Sequence, residues 1–236
     1  LYDNNEILPL PNLNRRAVNR QGQQEFGADP LEQMGNSYRP LISCLLAVPE
    51  WRARYLAHVR TIATECLDWK QVGPLCQKFH DLIDAEVRVD RRRLTTVTAF
   101  ESSIKQLESL FAMRRQQVLG HSSLAGPWPK VETLESEVVA GKKDSKGVCL
   151  RVDATVNGDV PISAAFLYFR ALPNAAFQRV SMVTKGKSHF VGVTPEVPLG
   201  SQLDYYVEAR ASKDLNVAVF YPAGAEAQPA HRVISR

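Results

Sequence analysis

The sequence predicts a multidomain α+β protein, with an all-α region followed by an all-β sandwich. Over residues 39–120 the apolar residues recur at the three- and four-residue spacing of amphipathic helices. Beyond residue 130 they alternate with polar residues, which is the pattern of half-buried strands. The segment between them, HSSLAGPWPK, contains two prolines and has no period. We therefore predict a helical domain over residues 1–120, a linker over 121–130 and a sandwich over 131–236.

The first two helices are predicted to meet at Val48-Pro49. Proline disfavours helical backbone in the residue before it and suits the first turn of the next helix. The residues expected on the buried face of the second helix recur every four positions or lie beside that row: Trp51, Tyr55, Val59, Ala63 and Leu67, with Leu56, Ile62 and Cys66. Those expected on its solvated side are polar: Arg52, Arg54, His58, Arg60 and Glu65.

Two longer helices follow. The third helix is predicted to break or kink at Gly73-Pro74. Its expected buried residues are Val72, Leu75, Phe79, Leu82, Ile83 and Val87. The fourth helix is predicted to begin at a capping box of Thr98 and Glu101, in which each side chain satisfies a backbone N–H, and to end at Gly120. Its expected buried residues are Phe100, Ile104, Leu107, Phe111 and Val118.

Seven short strand-like runs are predicted after the linker. They cover residues 133–139, 148–156, 164–170, 177–183, 188–193, 203–211 and 217–221. Asn157-Gly158 and Lys185-Gly186 are turn signals between them. Many short strands in one domain are typical of an immunoglobulin-like or fibronectin-III-like sandwich. In such a domain Tyr206 is either a tyrosine-corner residue or a half-buried strand tyrosine.

Charge and hydropathy argue against two classes of partner. The 29 basic and 25 acidic residues give a net charge of only +4. The one tight basic run, Arg91-Arg92-Arg93, is predicted to be a solvated helix–helix connection rather than a phosphate-binding patch. We therefore expect no nucleic-acid partner. No transmembrane segment is expected in this chain, because no apolar run approaches the ~20 residues that cross a bilayer, and no signal peptide is recognised.

The four cysteines show neither Cys-x-x-Cys pairing nor a histidine at zinc-finger spacing. Cys44 and Cys66 occupy apolar helical positions, so we expect buried free thiols there. Cys66 and Cys76 flank one predicted helix–helix turn. A disulfide between them remains an alternative, because the sequence does not supply the distance between their Cα atoms.

Three further sets of side chains are candidate sites. His80 and Asp84 lie one helical turn apart and superficially resemble a metal or acid–base pair, but we predict them on the solvated face. Trp128 is predicted to pack at the junction between the domains, with ligand stacking as the alternative. Carbohydrate binding by the sandwich is ranked last; the aromatic residues available for it are Tyr168, Tyr205, Tyr206 and Tyr221.

Three passages resemble the C-terminal helical region of the CotH kinase family, the spore-coat-protein-H-like atypical kinases. The first is LYDNNEI at residues 1–7. The second runs from Asp29-Pro30-Leu31 through RPLISCLLAVPEWRARYLAHVRTIATECLDW (39–69) to the end of the third predicted helix, and the third is VDRRRLTTVTAFESSIKQLESLFAMRRQQVL at 89–119. The later YYVEA strand and YPAGA segment also look like the sandwich modules appended to such proteins. The resemblance thus implies part of an atypical kinase-like domain followed by an appended module.

The activity implied by this resemblance is phosphoryl transfer from ATP to protein, with Mg²⁺ or Mn²⁺ as the metal. Asp3 stands where the family keeps its metal-binding aspartate, and Asn5 and Glu6 are close enough in sequence to support that site. The sequence contains no glycine-rich nucleotide loop, and no Lys-Glu pair or catalytic-loop aspartate can be assigned. We therefore name no catalytic residue and expect this chain alone to be inactive.

The same resemblance leads us to expect an incomplete chain, with most of the catalytic body upstream of Leu1. It also implies a cell-envelope or extracellular location, and a protein substrate or cell-surface partner. The alternative function is a non-catalytic envelope or adhesion protein whose helical region is a degenerate pseudokinase.

Overall fold

The computed structural model describes residues 29–141, 147–171, 175–211 and 217–234. These residues form four α-helices and two antiparallel sheets, so the predicted mixed α+β class is confirmed. They divide into two compact units. The helical unit contains residues 29–30 and 62–124, and the sheet unit contains residues 31–61 together with the described residues from 125 onward. The first two helices therefore belong to the same unit as the strands.

The sheet unit begins with helices α1 (Pro40–Ala47) and α2 (Pro49–Thr61). They separate at Val48, whose backbone is extended as expected before a proline, so the predicted junction is confirmed. The predicted buried face of this segment is confirmed at Leu56 and Ala63, which are buried, but it is wrong at Tyr55 and Ile62, which are exposed. Ala53 and Ala57 are buried instead. Trp51 is 56% exposed.

Nine strands complete the sheet unit. Their bounds are β1 Lys130–Ala140, β2 Val148–Asn157, β3 Ile162–Arg170, β4 Gln178–Ser181, β5 Val183–Thr184, β6 His189–Val193, β7 Gln202–Ala211, β8 Ala218–Tyr221 and β9 Ala230–Val233. One sheet has the order β1-β2-β6-β5 and the other β4-β3-β7-β8, with β9 also paired to β7. The seven predicted strands are present, and the short β5 and β9 are additional.

The two sheets share one hydrophobic core. Alternate residues of β2, from Leu150 to Val156, are 0–2% exposed. They belong to the same cluster as Leu167 of β3 and Val207 of β7. The predicted turn at Lys185-Gly186 is confirmed: the N–H of Lys185 donates to His189, and Gly186 has a φ of +151°, which side-chain-bearing residues rarely adopt.

The helical unit contains a π-helical turn (Ile62–Cys66) and helices α3 (Trp69–Val89) and α4 (Val97–Leu119). The predicted capping box of α4 is wrong by two positions, because the Thr96 hydroxyl accepts the hydrogen bond from the N–H of Ala99. Glu101 instead forms an ion pair with Arg88. Gly120 caps the C-terminus of α4 as predicted.

Helix α3 continues through Gly73-Pro74, so the predicted break there is wrong. Gly73 is buried, and a Cβ at this position would lie 2.9 Å from the indole ring of Trp69. The predicted buried face of α3 is also wrong in its larger part: Leu75, Phe79, Leu82 and Ile83 are 47–74% exposed. The face turned toward α4 carries His80 and Trp69 instead, stacked on Phe100 and edge-on to Phe111 respectively.

All four cysteines are free thiols. Cys44 and Cys66 are exposed, so the prediction of buried thiols there is wrong. The side chains of Arg91-Arg92-Arg93 are exposed in the connection between α3 and α4, as predicted.

Candidate functional site

Helix α2 lies on the outer face of the second sheet through a small apolar contact. Ala53 and Ala57 pack against an aromatic surface formed by Tyr168, Tyr206 and Phe220. The rings of Tyr168 and Tyr206 face each other on neighbouring strands, with centroids 4.7 Å apart and planes 3° from parallel. Alanine side chains allow the helix backbone to come close to flat rings, which explains why α2 meets these rings with Ala53 and Ala57 rather than with large apolar residues.

A buried carboxylate lies beside this contact. Glu208 of β7 is 0% exposed. Its Oε2 accepts a hydrogen bond from Arg54 Nη1 of α2 at 2.6 Å, and its Oε1 accepts one from Arg210 Nε at 2.6 Å. A buried charge is tolerated only when it is paired and hydrogen-bonded, and both oxygens of Glu208 meet that condition.

Arg54 connects this carboxylate to the aromatic surface. Its Nη1 also donates to the hydroxyl of Tyr168 at 2.7 Å, and its Nη2 donates to that of Tyr206 at 3.3 Å. Although burial lowers it, the pKa of Arg54 is raised overall by the hydrogen bond to Tyr206 and the charge of Glu208. Burial, opposed by the hydrogen bond from Arg54, raises the pKa of Tyr206 to about 12.

The N-terminal turn of α2 adds a second carboxylate. Glu50 Oε1 accepts hydrogen bonds from Arg210 Nη2 at 2.6 Å and from Arg179 Nη1 at 3.0 Å. The guanidinium groups of Arg179 and Arg210 each lie 4.8 Å from the ring centre of Phe166. The hydrogen bond from Arg210 is the main cause that lowers the pKa of Glu50.

We call this set the α2 cluster; its members are Glu50, Arg54, Tyr168, Arg179, Tyr206, Glu208 and Arg210. Each carboxylate of the cluster already accepts hydrogen bonds from two guanidinium groups. Glu208 is 0% exposed and accepts on both oxygens, so it is not open to a substrate as a general base must be. The chemistry of the cluster suits attachment of a helix to a sheet.

The C-terminal part of α2 carries a histidine in the same contact. The imidazole of His58 stacks on Phe220 with ring centroids 4.7 Å apart, and its Nε2 lies 3.8 Å from a carboxylate oxygen of Glu226. Burial lowers the pKa of His58. The negative charge of Glu226 raises it, whereas the positive charge of Arg54 lowers it further. The neutral imidazole is thus the form that this stack favours.

A separate group of polar side chains is centred on Asp204 of β7. Asp204 Oδ2 accepts hydrogen bonds from Arg170 Nε at 2.8 Å, and His231 Nδ1 lies 2.6 Å from Asp204 Oδ1. Burial raises the pKa of Asp204, but the hydrogen bonds from His231 and Arg170 lower it overall. Because Arg170, Asp204 and His231 come from β3, β7 and β9, these contacts join three strands side by side.

The metal site predicted from the sequence falls on residues that the structure does not describe. Asp3, Asn5 and Glu6 lie outside the described residues. Within the described ranges, no three His, Cys, Asp or Glu residues converge as a metal ion would require. The described residues therefore offer no fit for Mg²⁺ or Mn²⁺, and we derive no metal-dependent step from them.

The other candidates from the sequence are dispersed. His80 stacks on Phe100, whereas Asp84 forms an ion pair with Arg88 at 2.8 Å, so the two do not face a common ligand. Trp128 lies under the guanidinium group of Arg60, 4.3 Å from it.

The four strand tyrosines do not form one platform for a sugar. Tyr168 and Tyr206 are covered by α2, and the hydroxyl of Tyr205 donates to Ser136. Tyr221 is 39% exposed. Since the hydroxyl of Tyr206 accepts from Arg54, the tyrosine has its partner on a helix rather than on an upstream stretch of the strand backbone.

The sequence contained a partial signal for the α2 cluster. Along β7, the core residues from Leu203 to Ala211 alternate with Asp204, Tyr206, Glu208 and Arg210. Such alternation normally means one core face and one solvated face. The polar face is buried here because α2 covers it, and no local pattern in either segment reports that contact.

Comparison with known proteins adds no relative. No protein-family model matches the chain, and no curated protein matches it significantly. No helix in the described part of the chain combines the length and the apolar composition that crossing a bilayer requires.

Proposed function

We propose that this chain is the C-terminal portion of a CotH-like protein kinase, with an immunoglobulin-like sandwich that holds part of the helical region in place. The resemblance of three passages supports the kinase assignment: residues 1–7, the stretch from residue 29 to the end of the third helix, and residues 89–119. In this proposal ATP is the phosphoryl donor, Mg²⁺ or Mn²⁺ is the metal, and a protein is the acceptor. Residues upstream of this chain supply the nucleotide site.

The strand order supports the sandwich assignment. An immunoglobulin constant-type domain has strands A-B-E-D in one sheet and C-F-G in the other. The order β1-β2-β6-β5 corresponds to A-B-E-D, and β3-β7-β8 corresponds to C-F-G, with β4 beside strand C. β9 continues the position of strand G, because Asp204 and Tyr205 pair with β3 on one side and with β9 on the other.

The buried pair of Arg54 and Glu208 is the observation that carries the proposed role of the sandwich. Arg54 lies within the passage RPLISCLLAVPEWRARYLAHVR, which is part of the resemblance, and Glu208 lies in the sandwich strand β7. The module is thus attached to that passage through buried charges rather than joined to it by chain connectivity alone. A sandwich held in this way orients the helix on which it lies.

Phosphoryl transfer by the full-length protein tests the kinase assignment. With labelled ATP and Mg²⁺ or Mn²⁺, we expect labelling of protein that is lost in Asp3→Asn. Asp159→Asn, which changes an exposed aspartate of a turn, is the matched control and is expected to retain activity. Equal labelling by Asp3→Asn and the unaltered protein would remove Asp3 from the mechanism.

The second candidate is a non-catalytic envelope or adhesion protein with a pseudokinase region. It is favoured by the two arginine partners of each carboxylate in the α2 cluster, which suit a structural contact. Thermal unfolding of the full-length protein separates the two candidates. A kinase is expected to be stabilised by ATP with Mg²⁺, since a ligand that binds only the folded state raises the melting temperature. No change at saturating nucleotide would favour the second candidate.

A further inference from the structure

Helix α3 presents an exposed apolar stripe. Leu75, Phe79, Leu82 and Val89 are 51%, 55%, 74% and 73% exposed. With 3.6 residues per turn, the other three lie within about 60° of Leu82 around the helix axis. We call this set, together with the exposed residues Lys78, Ala85 and Glu86 that lie among them, the α3 stripe.

The opposite face of α3 is already occupied. His80 stacks on Phe100 of α4 with ring centroids 4.1 Å apart, and Trp69 meets Phe111 edge-on. The α3 stripe is therefore the apolar face left over after the helix has packed on α4. A stripe of large apolar side chains at helical spacing is characteristic of a surface that pairs with another helix.

The stripe is symmetric about Leu82 in a way that defines its partner. Leu75 and Val89 lie seven residues before and after Leu82, so two apolar residues exchange places when the helix is reversed. Phe79 and Ala85 lie three residues before and after it, on opposite flanks of the stripe. In an antiparallel pair of identical helices crossing at Leu82, Leu75 of one copy would therefore meet Val89 of the other.

The charges follow the same symmetry with opposite sign. Lys78 lies four residues before Leu82, and Glu86 lies four residues after it. Antiparallel pairing would place each Lys78 next to the Glu86 of the second copy, twice over, whereas parallel pairing would place like charges together.

We propose that the α3 stripe is an isologous interface, through which two copies of this chain associate by antiparallel pairing of their α3 helices. The two-fold axis passes beside Leu82. Each copy contributes the same surface, as a closed two-fold dimer requires. This association is independent of the proposed kinase activity.

The mass of the full 236-residue chain in solution tests the interface. Light scattering after size-exclusion chromatography is expected to give a dimer whose dissociation constant rises by roughly tenfold or more in Leu82→Asp and in Leu82→Ser, the loss typical of a central interface residue. Leu94→Asp is the matched control: Leu94 is 101% exposed and lies outside the helix, so this variant is expected to remain dimeric. Circular dichroism is expected to show unchanged helix content in all three variants.

A charge exchange tests the antiparallel geometry. Lys78→Glu and Glu86→Lys are each expected to weaken the dimer, because each places like charges opposite one another at two positions. The double variant restores opposite charges and is expected to regain dimerisation. A monomer at all accessible concentrations would overturn the proposal, as would a dimer insensitive to Leu82→Asp. A double variant weaker than both single variants would overturn the antiparallel arrangement.

Discussion

Helices α2 and α3 bury opposite kinds of surface. Helix α2 places Ala53, Ala57 and the guanidinium group of Arg54 against a sheet, and leaves Trp51 exposed. Helix α3 packs through a histidine and a tryptophan and leaves its row of large apolar residues exposed. Apolar periodicity thus identifies a distinct face of a helix, but the chemistry of the neighbouring element decides whether that face is covered.

The sheet next to α2 explains why this helix buries alanines and an arginine rather than large apolar residues. The outer face of the second sheet offers tyrosine rings together with a carboxylate on β7. Small residues fit over the rings, and an arginine pairs with the carboxylate while stacking near the rings. A helix face with large apolar residues would neither fit closely over the rings nor pair with the carboxylate.

Removal of the buried carboxylate is expected to have the largest effect. Glu208→Ala leaves the partly buried Arg54 and Arg210 without their central partner, and loss of hydrogen bonds between charged groups costs about 1.5–3 kcal/mol. Urea unfolding of the chain is expected to show a loss of this size. The control Glu135→Ala changes an exposed glutamate of β1 and is expected to alter stability by less than about 0.5 kcal/mol. Equal stability of the two variants would show that the buried pair does not support the fold.

The two faces of α2 give the next comparison. Ala57→Leu inserts a larger side chain between the helix and the aromatic surface, and overpacking of this kind costs about 1–3 kcal/mol. Trp51→Ala removes a much larger side chain from the exposed face and is expected to cost less than about 0.5 kcal/mol. Chemical denaturation measures both. A larger loss for Trp51→Ala would mean that the face predicted from the sequence is the buried one.

Alkaline titration gives a smaller effect at the same contact. The pKa of Tyr206 is raised from 10.0 to about 12, chiefly by burial. Between these values the unfolded chain loses the phenolic proton and the folded chain keeps it, so stability is complete below pH 10.0 and declines as pH rises through about 12. Tyr206→Phe is expected to remove this part of the decline. Denaturation midpoints of the variant and of the unaltered chain are measured across this pH range. An equal decline of stability with pH in both proteins would contradict the assignment.

The core between the two sheets could be predicted from the sequence to a large extent. The alternation in β2 placed Leu150, Val152 and Ala154 on one face, and a strand has only two faces to choose between. The turn signal at Lys185-Gly186 fixed a hairpin because glycine supplies a backbone conformation that other residues rarely adopt. The two short strands β5 and β9 were missed, since each has too few residues to show a period.

The helix faces could not be predicted in the same way. Arg54 carries a charge and was expected in solvent, but its partner Glu208 is 154 residues away in the sequence. On α3, the spacing of Leu75, Phe79 and Leu82 correctly marked one face, and only the expectation that this face is buried within the chain was wrong. Both errors concern the partner of a surface rather than its composition.

A double-mutant cycle between Arg54 and Glu208 tests the central claim most directly, namely that buried charges hold α2 on the sheet. The unfolding free energies of Arg54→Ala, Glu208→Ala and the double variant are measured together with that of the unaltered chain. We expect a coupling energy of about 1.5–3 kcal/mol, as for a hydrogen-bonded charged pair out of water. Additivity of the two single effects to within about 0.5 kcal/mol, the value found for residues that do not touch, would contradict the account.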